Sequence, residues 1–281
     1  MNFGGLTKDQ AKLDLAKIVI IPVPYDGTST WIKGADKGPQ AIMEASENME
    51  LYDISTNFEV YKVGIHTTRP IKVNTNPQKV VESVYNKTKE YIEKNKFPVL
   101  IGGEHSISIG AIKAFSEKYS DLTILQLDAH ADLRPIYEKS KYNHACVMAR
   151  AKEFCPIVQV GIRSMSVEES KHLDTDRIFF ADQIIDNNDW MVEALMKLTK
   201  NVYITIDLDV FDPSIMPSTG TPEPGGLYWY QVIEFLKKVH ERVNIVGFDV
   251  VELCPNKYNK APDFLASKLI YTLLSFKYKE S

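Results

Sequence analysis

Cysteine is scarce in this chain of 281 residues: Cys146, Cys155 and Cys254 are the only three, and no Cys-x-x-Cys spacing joins them. So odd and scattered a set offers neither a disulfide framework nor a thiolate metal site, and it suits buried small side chains in a reducing compartment. Long apolar runs are missing near the N-terminus. The stretch from Ile18 to Val23 stops at Pro24, far short of the roughly 20 residues that span a bilayer. The N-terminus also lacks the basic, apolar and small-residue zones of a secretory signal. A cytoplasmic protein without membrane contact is therefore expected. No basic cluster marks a nucleic-acid surface. The 33 basic and 37 acidic residues leave a net charge of −4, which mildly favours a cationic ligand. Gly/Ser-rich linkers, repeats and low-complexity tracts are absent too, so one domain over 1–281 is expected.

What the chain does contain is an alternation. Hydrophobic residues make up 44% and charged residues 25%, enough for a full core in a soluble protein. Short β-rich runs are expected near 17–23, 59–64, 97–101, 122–128, 156–161, 177–181, 202–207 and 243–249. Several are apolar throughout, as strands covered on both faces should be. Helical patterns lie between them. Residues 77–95 bring Val80, Val84, Thr88, Tyr91 and Ile92 to one face behind Pro77. Residues 227–241 do the same with Val232, Phe235, Leu236 and Val239, and 262–276 with Phe264, Leu265, Leu269, Leu273 and Leu274. This pattern predicts the α/β class: a three-layer α/β/α sandwich on a mainly parallel sheet of about eight strands. The aperiodic segments 24–37, 131–143 and 208–226 all follow predicted strands, on the edge where open α/β sheets bind ligands.

The chemistry gathers at three of those strand ends. Asp128-Ala129-His130-Ala131-Asp132 follows Leu122–Leu127, and Asp207-Leu208-Asp209 closes Val202–Ile206. Gly102-Gly103-Glu104-His105 follows Phe97–Ile101. An extended backbone through 128–132 would project Asp128, His130 and Asp132 to one side. Four aspartates and two histidines so close together would repel and lose solvation unless cations joined them. Carboxylate and imidazole ligands without thiolate suit Mn²⁺, with Zn²⁺, Co²⁺ or Ni²⁺ possible. Six side chains suggest two ions, roughly 3.5–4 Å apart, bridged by carboxylates and a water ionised near neutral pH. These residues point to a two-metal hydrolase.

In order and approximate spacing, Gly102-Gly103-Glu104-His105-Ser106, Asp128-Ala129-His130-Ala131-Asp132 and Ile206-Asp207-Leu208-Asp209-Val210-Phe211-Asp212-Pro213 resemble the ureohydrolase family of arginases and agmatinases. The segments Pro24–Trp31, Gly38-Pro39, Ser218–Pro222 and Val250–Leu253 extend the resemblance over the whole chain. It implies two Mn²⁺ ions. His105, Asp128, Asp132 and Asp207 would hold one, and Asp128, His130, Asp207 and Asp209 the other, with Asp128 and Asp207 bridging. His144, Glu252 and Asp132 become the catalytic set. Glu252 would pair with the substrate guanidinium, and His144 would carry a proton to the leaving amine or to solvent. Thr221, Asn143 and Glu138 are further expected substrate contacts, while Glu104 and Asp212 are expected to support ligands or form turns.

The substrate so implied is a small cationic guanidino compound, and a homo-oligomer (trimer or hexamer) is implied as well. Arginases read the α-amine of arginine with an aspartate in a Gly-x-Arg segment; here that place is Gly161-Ile162-Arg163-Ser164-Met165-Ser166. The resemblance runs closest to the agmatinase branch, so agmatine, cleaved to putrescine and urea in polyamine biosynthesis, is the expected substrate. N1-aminopropylagmatine is the first alternative; arginine, guanidinobutyrate and formiminoglutamate come after it. Arg134 is a cation expected beside a cationic substrate, and it would need an acidic partner.

Overall fold

The structure is a computed structural model that describes residues 1–185 and 187–279. Its strands are β1 (Ile18–Val23), β2 (Ile65–Thr67), β3 (Phe97–Gly102), β4 (Leu122–Leu127), β5 (Ile157–Ile162), β6 (Ile178–Phe180), β7 (Asn201–Asp207) and β8 (Asn244–Val251). They form one sheet in the order β2-β1-β3-β8-β7-β4-β5-β6, with every neighbouring pair parallel. The helices are α1 (Gly38–Ser46), α2 (Pro77–Glu93), α3 (Ser108–Lys118), α4 (Val147–Ala151), α5 (Ala181–Ile184), α6 (Asp189–Met196), α7 (Trp229–Arg242) and α8 (Ala261–Tyr278).

Strands β1, β3, β4 and β5 are buried at every residue, because parallel strands joined by crossover helices are covered on both faces. Side-chain alternation sorts them into two cores. Ile18, Leu125, Val202 and Ile204 pack with α1, α6, α7 and α8. Val19, Ile124 and Tyr203 pack on the opposite face with α2, α3 and α4. The result is the expected three-layer α/β/α sandwich.

One strand moves from its expected place. Residues 60–63 form a 3-10 turn, and β2 begins only at Ile65. A four-residue alternation in Glu59–Gly64 fits a turn as well as a strand. Gly64 then decides between them, at φ 82 with Ala16 Cα 2.7 Å from where a Cβ would stand. Helix α3 carried little periodic signal because seven of its eleven residues are buried, which erases the polar stripe. Phe264, expected on the buried face of α8, is exposed, and Ala266, Ile270 and Phe276 join Leu269 and Leu273 there instead.

Strand order brings the predicted ligands to one place. The chain inserts β8 and β7 between β3 and β4, so the segments after four adjacent central strands open onto one crevice. Open α/β sheets bind ligands in such a crevice. No helix of the described residues is long and apolar enough to cross a membrane.

Candidate metal centre and substrate cavity

Asp128 is the first residue beyond β4 and is completely buried. Its Oδ2 accepts a hydrogen bond from Gln126 Nε2 (2.7 Å), and its Oδ1 accepts the His130 amide (2.6 Å). Gln126 is oriented in turn by Gln159 on β5, whose Nε2 donates to Gln126 Oε1 at 2.6 Å. Close approach of β5 is possible because residue 161 is glycine. At φ 91, a Cβ there would meet the Asp128 carbonyl at 3.2 Å and Val210 Cγ2 at 2.9 Å.

The extended backbone expected through 128–132 is not what brings these ligands together. Asp132 takes a left-handed conformation, φ 52, which costs about 1–3 kcal/mol for a residue with a Cβ. Its carbonyl accepts the Met148 and Ala149 amides at the start of α4 (3.0 and 3.1 Å). That reversal swings the Asp132 carboxylate back until Oδ2 lies 3.1 Å from His105 Nδ1. Asp207 and Asp209 come from the turn that ends β7. Asp207 Oδ1 accepts the Asp209 amide (2.9 Å), and Asp209 Oδ1 accepts the Ala129 amide across the sheet (3.0 Å). The Arg163 guanidinium fastens this loop, donating to the carbonyls of Asp209 (2.6 Å), Glu223 (2.9 Å) and Pro224 (3.0 Å). Asp212 folds the far end by accepting the Gly225 and Gly226 amides.

Two ligand groups result, His105 with Asp128 and Asp132, and Asp128 with His130 and Asp209. Within each, the ligand atoms lie within 4.8 Å of one another. Asp128 belongs to both, its two oxygens facing the two histidines: Oδ2 is 3.2 Å from His105 Nδ1, and Oδ1 is 3.7 Å from His130 Nδ1. Asp207 Oδ2 stands 3.6 Å from His105 Nδ1, and Asp209 Oδ2 2.8 Å from His130 Nδ1.

Whether metal fits can be judged from His105, which is 1% exposed. Its Nε2 pairs with Thr205 Oγ1 (2.8 Å), and the Thr205 hydroxyl donates to Asp249 Oδ1 (2.6 Å). Thr205 thus accepts the proton on Nε2, and Nδ1 points into the cluster. There Nδ1 is buried, facing three carboxylate oxygens. Against the cost of burial, those anions hold a proton on the ring in the empty centre; a divalent cation would take that proton's place on Nδ1, and the donor set is right for one. Burial, followed by the charge of Asp128, pushes Asp132 up to about 7. Burial and then Asp209 and Asp128 raise Asp207 well above the usual carboxylate range. The two groups, joined at Asp128, fit two divalent ions; Asp207, expected as a second bridge, stands beside the first group and belongs to neither.

Beside the centre opens a cavity of about 250 Å³ whose wall includes His144, Glu252, Thr221, Arg134, Tyr137 and Trp31. Glu252 stands just past β8 at φ 66. Its amide donates to the Gly103 carbonyl (2.8 Å), and its Oε1 accepts the His105 amide (2.7 Å). His144 begins a 3-10 turn capped by Asn143, whose Oδ1 accepts the Ala145 amide (3.0 Å). Asn143 is therefore buried as a cap and does not line the cavity, and Glu138 is exposed in a turn outside it. Neither of these two expected substrate contacts is on the wall. Glu104 is also a cap, accepting the Ser106 amide and hydroxyl (2.8 and 2.7 Å).

Arg134 finds its acidic partner in Glu169, a residue that no motif in the sequence marks. Buried Glu169 accepts from Leu133 N (2.9 Å), Ser166 N (2.7 Å), Ser166 Oγ (2.9 Å) and Arg134 Nε (3.4 Å). The Arg134 guanidinium also lies over the Tyr137 ring, 4.3 Å from its centroid. Asp249 and Thr205 were equally unmarked. A lone Asp and Thr inside apolar strands were the available signal, since buried polar groups need a reason.

Residues 16–275 match the Arginase family. The chain belongs to that family. It is 37% identical to the N(1)-aminopropylagmatine ureohydrolase of Synechocystis sp., with 93% of this chain and 89% of that protein covered. Identity to the protein of the same name from Thermus thermophilus is 36%, covering 93% and 90%. Among solved structures, the agmatine ureohydrolase of Thermoplasma volcanium superposes with a TM-score of 0.89 at 30% identity, covering 99% of this chain and 94% of that one. The chain is thus an arginase-family ureohydrolase, a hydrolase of a family that depends on two metal ions, and it carries an Asp/His cluster able to bind them.

Two outcomes are expected of the centre. Asp128→Ala should lose more metal than His130→Ala in elemental analysis, because Asp128 serves both groups; two ions retained in Asp128→Ala would contradict the shared ligand. The metal-free protein should also lose stability as pH rises. Asp132 has a folded pKa of about 7, above its unfolded value, so its contribution is present below about pH 4 and lost as pH climbs through 7. Carboxylates raised above and histidines held protonated by their neighbours have the same sign. The gain in Tm on adding Mn²⁺ should therefore be larger at pH 8 than at pH 6; an equal gain at both would argue against the charge cluster.

Proposed function

We propose that this protein hydrolyses the guanidinium group of N1-aminopropylagmatine, releasing urea and the free triamine, and that agmatine is its second substrate. The observation that carries the reading is the attachment of Glu252 to the metal centre. Its Oε1 is held by the backbone amide of the ligand His105 at 2.7 Å, so a guanidinium paired with this carboxylate is fixed relative to the ions. Burial, then the charge of Glu104, raises the Glu252 pKa well above its usual range. A guanidinium offers two parallel charge-assisted hydrogen bonds and restores the anion.

Two divalent ions in the six-ligand cluster would supply Lewis acidity and a water ionised near neutral pH. The protein's own task is to orient the guanidinium carbon and manage the leaving amine. Apart from the ligands, His144 is the only imidazole on the cavity wall among the described residues. Burial, followed by the nearby His130 and His105, holds its pKa down at about 4. It enters as a neutral imidazole, able to take a proton and pass it to the departing nitrogen.

Discrimination lies at the outer end. An arginine carboxylate would need a cation or free donors; the Ser166 hydroxyl is already engaged by Glu169, and Arg134 is drawn to the same carboxylate through Nε and lies over the Tyr137 ring. Trp31 (78% exposed) and Met165 (42% exposed) add two exposed apolar side chains to the cavity wall, a surface for the methylene chain of an alkylamine extending outward. The relatives from Synechocystis and Thermus bear the name of the longer substrate, and this favours it over agmatine. The Thermoplasma structure supports agmatine as the second reading.

Urea release should give kcat/KM highest for N1-aminopropylagmatine, then agmatine, with arginine lower by ~10³ or more because its carboxylate is left unpaired. Agmatine clearly above the longer amine would reverse the order, and arginine equal to either would sink the assignment. Glu252→Gln should keep both ions and lose about 1.5–3 kcal/mol of transition-state stabilisation in kcat/KM. An unchanged specificity constant in that variant would show that the guanidinium anchors elsewhere.

A further inference from the structure

The loop after β1 sends one buried hydroxyl to His144. Thr28, 8% exposed, accepts the His144 backbone N–H on Oγ1 at 3.0 Å, and the same oxygen lies 3.2 Å from His144 Nδ1. Both the main chain and the ring of His144 are thus referred to a single atom. Across the ring, Tyr137 makes an edge contact at 86°, with centroids 6.1 Å apart.

A threonine hydroxyl has one hydrogen to give and two lone pairs to receive. Oγ1 accepts the His144 amide and still has the capacity to pair with Nδ1, so Nδ1 is occupied and Nε2 is the ring nitrogen left for the cavity.

We propose that Thr28 is a positioning residue for proton transfer, holding His144 by its amide and by Nδ1 so that Nε2 is presented to the cavity. Nε2 passes one proton between the reacting groups and the leaving nitrogen, so the imidazole ends as it began. This rests on the role of His144 in the proposed function. It goes further by naming the group that sets which ring nitrogen works and where it stands.

The test uses the metal-loaded enzyme with agmatine and N1-aminopropylagmatine, comparing Thr28→Val, Thr28→Ser, His144→Ala and the double variant Thr28→Val/His144→Ala. Val keeps the shape but can make neither hydrogen bond, and Thr28→Ala serves if Val disturbs the loop. Thr28→Val should lower kcat by ~10², the order expected for a misplaced reacting group, with KM little changed. Metal content and Tm should stay at wild-type values, and Thr28→Ser should recover most of the rate. In the His144→Ala background, Thr28→Val should cost nothing more, since a residue acting only through His144 has nothing left to act on. An equal loss with and without His144 would overturn the proposal. So would a wild-type kcat in Thr28→Val while His144→Ala is slow, a result that leaves the role of His144 standing. A wild-type rate in His144→Ala would overturn both.

Discussion

Four carboxylates and two imidazoles packed into a nearly dry crevice form a centre that is electrostatically incomplete by itself. His105 Nδ1 faces the oxygens of Asp128, Asp132 and Asp207 at 3.1–3.6 Å. Its other nitrogen is anchored through Thr205 to Asp249, so the ring cannot turn away to relieve the contact. Much of the surrounding structure can be understood as what holds that arrangement in place. Gln159 and Gln126 orient Asp128, the α4 amides fasten the reversed backbone of Asp132, and Arg163 ties down the loop behind Asp209. Each is a hydrogen bond to a buried acceptor, the kind that is costly to remove. Energy set against the protein in the empty centre is recovered when cations bind, which couples metal affinity to folding.

Topology makes the gathering possible. His105 follows β3, Glu252 follows β8, Asp207 and Asp209 end β7, and Asp128 follows β4, four consecutive strands in the sheet though widely separated in the chain. A parallel sheet puts all these carboxyl ends on one edge. Because β8 lies directly between β3 and β7, the Glu252 carboxylate is placed within hydrogen-bond reach of the His105 backbone without any long loop. On the proposed reading, substrate anchor and reactive centre are thereby one rigid body, which is the requirement for holding a reacting carbon near attack distance.

Much of this architecture is legible in the residues alone. Continuous apolar runs reveal a parallel sheet, and uncommon ligand types at the ends of three of them reveal a metal centre. What cannot be read is how local backbone geometry turns each side chain. Asp-x-His-x-Asp suggests an extended strand because its period is two, but Asp132 reaches its place through a left-handed residue that no periodicity announces. Asn143 and Glu138 belong to the right loop, yet one is used as a helix cap and the other faces solvent. Glu169, Thr205 and Asp249 act across distances in sequence that a single chain does not display. Long-range partners of buried polar groups are the common omission.

On the proposed reading, specificity has its origin in the same kind of buried pairing. Arg134 would repel a cationic substrate if its charge stood free, but Glu169 and the face of Tyr137 take it up. Ser166, in the segment where the family resemblance puts the arginases' amine-reading aspartate, donates its hydroxyl to that same Glu169. A single buried carboxylate thus engages two residues at once, Arg134 through Nε and Ser166 through its hydroxyl. On the proposed reading, a substrate entering there is selected by what it does not carry: an amino acid brings a carboxylate for which Glu169 leaves no free hydroxyl, while an alkylamine brings none. Discrimination against arginine would then come from the absence of a partner for its carboxylate rather than from a contact made to the preferred amine, and amines of different length would share the mouth as long as their guanidinium reaches Glu252.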